Sequence, residues 1–216
     1  MAAERACAGS KSWLWIQWVL ASAGGFTLVW LATSILLEVH VKDPLVMVCA
    51  AAIAGAVSGA VQWLVLRQQV AGVGWQAPSI IVGWMAATAI SMNTMIPPHQ
   101  VDFALVLLEA VVRGPVAGVV LGLAQWLVLR RQASSTGWWV PASAVGYAIG
   151  LPIAILAILG PYGRPDSGRW PMDLYVAGAV GGAVGGTLYG AITGITLVWM
   201  LRHPAPETTG SGQSAA

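Results

Sequence analysis

At 216 residues the chain has the length of one or two soluble domains, yet 57% of it is hydrophobic and only 8% carries charge, against about 25% charged in soluble proteins. So few charges cannot cover a water-facing surface, which excludes a soluble globular domain and makes lipid the main solvent. A net charge of +2 gives no ground for a nucleic-acid partner.

Residues 1–11 are small, polar and weakly charged and are expected to form a cytoplasmic tail. The segment Trp13–Leu20 followed by Ala21-Ser22-Ala23 has the look of a secretory signal and its cleavage site. The apolar run continues without charge to Leu37, however, so the whole of 13–37 is predicted to be an uncleaved first span. A polar connection (Glu38, His40, Lys42, Asp43, Pro44) leads to a second span over 45–66, closed by Arg67. A third span covers 76–96 and stops at Pro97-Pro98, because proline has no amide to donate and pushes its predecessor out of helical geometry. The fourth covers 103–129, with Glu109, Arg113 and Pro115 inside it and Arg130-Arg131 at its end. A fifth is predicted over 138–159 and a sixth over 174–201, joined by the longest polar loop. Residues 203–216, rich in Pro, Thr, Gly and Ser, are expected to be a disordered cytoplasmic tail. Each span has about 20 residues or more, enough at about 1.5 Å per residue to cross a hydrocarbon core of about 30 Å.

One stretch organises these six helices. Gln62-Trp63-Leu64-Val65-Leu66-Arg67 recurs letter for letter at Gln125–Arg130, and a degraded copy, Leu197-Val198-Trp199-Met200-Leu201-Arg202, ends the sixth span. Each copy has a glycine eight residues before its arginine: Gly59, Gly122 and Gly194. The odd spans also match one another: Trp75, Pro78, Gly83 and Trp84 align with Trp138, Pro141, Gly146 and Tyr147, and Trp18, Gly25 and Phe26 fit the same template. The expected fold is therefore an all-α polytopic membrane protein of six transmembrane helices, built as three parallel helical hairpin repeats at about 13–67, 75–131 and 138–202 within a domain covering 12–202. Arg5, Lys11, Arg67, Arg130, Arg131 and Arg202 share the side of the termini. Lys42, Arg164 and Arg169 lie on the other side, diluted by five carboxylates. The positive-inside bias then puts both termini in the cytoplasm of a bacterial inner membrane.

The hexapeptide suits an interface: tryptophan prefers the headgroup region, arginine reaches phosphates, and Gln62 and Gln125 can each hydrogen-bond a neighbouring helix or, alternatively, bind a ligand. The glycines recur at near-helical spacing, unbroken every four residues through Gly178, Gly182, Gly186, Gly190 and Gly194. Such a stripe lets another backbone approach closely, so helix packing is the expected use of Gly59, Gly122, Gly182, Gly186, Gly190 and Gly194. The two cysteines, Cys7 and Cys49, have no metal or disulfide spacing.

Chemistry concentrates at Glu109 and Arg113, one helical turn apart in the fourth span, where unpaired charge costs several kcal/mol. Their spacing lets each neutralise the other, and they break the repeat, standing opposite Val46/Ala50 and Gly181/Gly185. Ser91 and Asn93 in the third span are candidate polar neighbours. Glu109-Ala-Val-Val-Arg113-Gly114 resembles the second half of the Glu-Glu-x-x-x-Arg motif of the CPBP intramembrane metalloproteases. The resemblance implies a metal site, but Leu108 replaces the first glutamate and no histidine follows until His203. Over about residues 13–202 the chain resembles uncharacterised bacterial multi-pass membrane proteins whose glycine-rich helices end in Gln-Trp-Leu-Val-Leu-Arg-Arg, a resemblance that carries no activity with it. The expectation is a non-enzymatic structural or assembly component of the cell envelope without catalytic residues, cofactor or metal. The alternative is a small-solute or ion transporter using Glu109 and Arg113. Expected partners are the bilayer and, beyond it, a second copy or another membrane protein.

Overall fold

A computed structural model describes residues 2–38, 43–69, 77–92, 103–130, 136–162 and 171–203. These form six helices: α1 (Ala2–Glu38), α2 (Pro44–Gln69), α3 (Ala77–Met92), α4 (Phe103–Leu129), α5 (Trp139–Tyr162) and α6 (Pro171–Met200), with a single 3-10 turn, Thr136–Trp138, leading into α5. Four stretches are long and apolar enough to cross a membrane: Ser12–Leu36, Ala104–Leu127, Thr136–Ala157 and Leu174–Met200. A shorter apolar stretch, Ile81–Ile90, lies in α3. Leucine, isoleucine and valine side chains stand exposed along the outer faces of the bundle, an arrangement suited to lipid and not to water.

One boundary differs from expectation. Helix α1 begins at Ala2, not near Trp13, because the alanine-rich start carries no proline or glycine before Gly9 to interrupt a helix. Helix α3 is described only to Met92, and the expected continuation to Ile96 with the Pro97-Pro98 stop lies outside the described residues.

The helices close a ring. Each packs chiefly on its two neighbours in the chain, and α6 returns to pack on α1. Glycines line both kinds of seam. Those of the odd helices face the helix that follows: Gly25 lies against Ser58 of α2, Gly83 against Ala124 of α4, and Gly146 against Tyr189 of α6. Most of those in the even helices face the next helix round: Gly55 against the Trp84 backbone of α3, Gly114 and Gly118 against Tyr147 and Ser143 of α5, and the α6 stripe against α1, while Gly185 of α6 faces Gly150 of α5. Along that last seam, rising numbers in α6 meet falling numbers in α1: Gly182 lies on Thr27, Gly186 on Ser22 and Phe26, and Gly194 on Trp15. The two helices are therefore antiparallel, and the start of α1 and the end of α6 lie at the same end of the bundle.

The aromatic residues that follow the odd-helix glycines meet in the middle. Phe26 packs edge-on against Trp84 at 5.3 Å between ring centres, and lies 5.2 Å from Tyr147 and 5.4 Å from Tyr189. All four rings are buried. Edge-to-face contact suits aromatic quadrupoles and contributes about 0.5–1.5 kcal/mol per pair beyond simple burial.

Candidate functional site

Gln62 and Gln125 end up facing each other across the interior, both essentially without solvent exposure. Gln125 Nε2 donates to Gln62 Oε1 at 2.9 Å. The same oxygen accepts the Trp84 indole N–H at 2.7 Å, and Gln62 Nε2 donates to Ser22 Oγ at 3.1 Å. Gln125 Oε1 accepts the Trp139 indole N–H at 2.9 Å and the Tyr189 hydroxyl at 3.4 Å. Ser22, Gln62, Trp84, Gln125, Trp139 and Tyr189 come one each from α1 to α6. One connected network thus ties every helix of the bundle together.

The hexapeptide divides its labour by helical phase. Its glutamine turns inward, as does its second leucine, since Leu66 and Leu129 are also buried. Its tryptophan and arginine, one turn apart, face outward and stack: the Arg67 guanidinium lies 5.0 Å from the Trp63 ring centre and that of Arg130 5.3 Å from the Trp126 ring centre, within cation–π reach. In the third copy Leu197 fills the glutamine position and is buried. There the indole N–H of Trp18 goes instead to Thr193 Oγ1 at 2.9 Å, one turn earlier on α6.

Chemically this centre is closed. Both glutamine carbonyl oxygens already accept two hydrogen bonds, and the surrounding rings leave little room. A crevice between Phe26, Trp30, Trp84, Thr88, Tyr147 and Leu151 holds only about 10 Å³, the space of a single water. Thr88 Oγ1 lines it and has no hydrogen-bond partner among the described residues.

Glu109 and Arg113 lie elsewhere, on the outer part of α4. Arg113 Nη2 is 3.6 Å from Glu109 Oε1, each side chain is 33% exposed, and Arg113 Nη1 is buried without a hydrogen-bond partner. No hydrogen bond joins this pair to the glutamine network among the described residues. Ser91 lies in the last turn of α3 with its side chain outside the described residues, and Asn93 is outside them altogether.

Of the glycines singled out by pattern, a Cβ added to Gly122 would come 2.9 Å from Ser143 Cβ. The corresponding approaches are 2.7 Å at Gly182 to Thr27 Cα, 2.6 Å at Gly186 to the Ser22 carbonyl, 2.7 Å at Gly190 to Ser22 Cβ and 2.9 Å at Gly194 to Trp15 Cδ1. Gly59 is buried. Among the described residues no three His, Cys, Asp or Glu side chains converge in a way that would hold a metal ion, and Cys49 is a free, exposed thiol.

Sequence pattern alone did not bring Trp84, Trp139, Tyr189, Ser22 or Thr193 into this site. The signal available was that Trp18 and Trp139 stand at the same place in the odd-helix template, each seven residues before its glycine, Gly25 or Gly146. Set against protein families, curated proteins and solved structures, the chain matches none of the three.

Proposed function

We propose that the chain is a six-span protein of the bacterial inner membrane, three hairpins arranged around an axis along the membrane normal with both termini in the cytoplasm, and that its role is structural or in assembly of the envelope. The observation that carries this is the filled interior. Among the described residues, a network drawn from all six helices and four packed aromatic rings fill the middle of the bundle, and the crevice beside the rings holds only about 10 Å³. Polar groups there are spent on one another, and this gives fold specificity without exposing a reactive centre. Transport through the Glu109–Arg113 pair is the second reading, favoured by one observation: an ion pair inside an apolar helix, where ionisable groups commonly mark a path.

Purified protein in liposomes separates the two. Counterflow and pH-dye assays with ions, sugars and amino acids should show no flux above empty vesicles. Flux that disappears in Glu109→Gln while the variant keeps its melting temperature would replace the structural role with transport.

A further inference from the structure

We propose that α4 is the contact through which two copies of this chain pair in the membrane, with Glu109 and Arg113 of each copy engaging Arg113 and Glu109 of the other. The inference rests on the structural role proposed above and names its partner.

Of the four stretches long and apolar enough to cross a membrane, that of α4 is the least covered. Of its most apolar stretch 28% is buried, against 44% in α1, α5 and α6. At 100° per residue, Leu105, Glu109, Val112, Arg113 and Val116 fall on one side of it, and Leu105, Val112 and Val116 are all exposed. The ion pair therefore sits within an uncovered apolar face. Its single contact is long, 3.6 Å, with a third of each side chain exposed. Arg113 Nη1 is turned into its own chain and has no hydrogen-bond partner among the described residues. In hydrocarbon, a carboxylate and a guanidinium joined by one long contact both call for a further partner of opposite charge.

The occupant that fits is a second copy. A two-fold axis along the membrane normal keeps depth unchanged, so Arg113 of one chain meets Glu109 of the other at the same one-turn offset that it has within its own chain. Two copies then close a ring of four alternating charges. Each arginine's Nη2, which carries two hydrogens, gives one to its own glutamate and the other to its partner's, and each carboxylate accepts from both sides. A patch carrying both signs in equal number is self-complementary, as an isologous contact requires.

The test uses full-length protein with Cys7→Ser and Cys49→Ser, carrying either Val116→Cys on this face or Ile53→Cys, exposed on α2. In native membranes, oxidation should convert Val116→Cys to a disulfide-linked dimer and leave Ile53→Cys monomeric. A companion experiment co-expresses Glu109→Arg with Arg113→Glu under different tags. Each is self-repelling alone, and together they should co-purify. Equal cross-linking at both cysteines, or capture of a different protein by Val116→Cys, overturns the proposal even if the charge variants fail to insert. Solute flux by a protein that still dimerises would overturn the structural role and leave the interface standing. Monomers without flux would do the reverse.

Discussion

Gln62 and Leu197 hold matched places in two copies of the hexapeptide, yet one is the hub of a polar network and the other an apolar filler. The difference follows from what donates nearby. Gln62 takes the Trp84 N–H and the Gln125 amide. Near Leu197 the indole of Trp18 is already taken by Thr193 and that of Trp15 by the Ala191 carbonyl. Inter-helix hydrogen bonds inside membranes contribute modestly, about 0.6 kcal/mol each on average, but orphaning a buried partner costs about 1–3 kcal/mol. Gln62→Leu removes the oxygen that accepts from both Trp84 Nε1 and Gln125 Nε2 and leaves both donors orphaned, so it should lower stability by about 3 kcal/mol in reversible denaturation. Wild-type stability would show that the network contributes nothing. Thr88 predicts the opposite sign. Its hydroxyl is buried with no partner among the described residues, in a crevice too apolar to give a water its usual two to four contacts. Thr88→Val keeps the shape and removes the unsatisfied group, and should raise stability by about 1 kcal/mol. A loss instead would mean that a water sits there.

Helices in this chain carry no amphipathic stripe, because lipid outside and core inside are both apolar. Hydropathy therefore marked where helices run, and α4 (Phe103–Leu129) and α6 (Pro171–Met200) lie close to their expected bounds, but it did not mark which face of each turns inward. Glycine did. The α6 stripe was legible as spacing; that it seats on α1, and that odd-helix and most even-helix glycines serve alternate seams, required the coordinates. The glycines now separate into two kinds. Gly186 has the Ser22 carbonyl 2.6 Å from where a Cβ would stand, whereas Gly24 has nothing within 4 Å. Backbone cannot swing aside as a side-chain tip can, so Gly186→Ala should cost about 1–3 kcal/mol by overpacking. Gly24→Ala should gain about 0.5–1 kcal/mol by removing glycine's excess freedom in a helix. Equal effects at the two sites, measured by thermal unfolding in detergent, would mean that the α1–α6 seam is looser than its distances.

Ring closure is the property of the whole molecule that no pattern along the chain displays. The hexapeptide repeats announce three similar units, and they are silent on whether the last unit meets the first. Helix α6 does meet α1, with Gly182, Gly186 and Gly190 against Thr27 and Ser22, and Trp18 bonds Thr193 across the same seam. A closed ring holds each part from two sides, which a row of hairpins would not do. If the chain is divided at 131–135, the segment bearing α5 and α6 has two seams by which to return: α4 with α5 through Gly114 and Gly118, and α6 with α1 through the stripe. Co-expressed halves should therefore assemble and co-purify. Either Gly118→Leu or Gly186→Leu alone should reduce recovery, since one intact seam remains, and the two together should abolish it. Complete loss from Gly186→Leu alone would show that the α4–α5 seam cannot hold the halves unaided. Full recovery of the double variant would show that the glutamine and tryptophan network, not glycine packing, joins them.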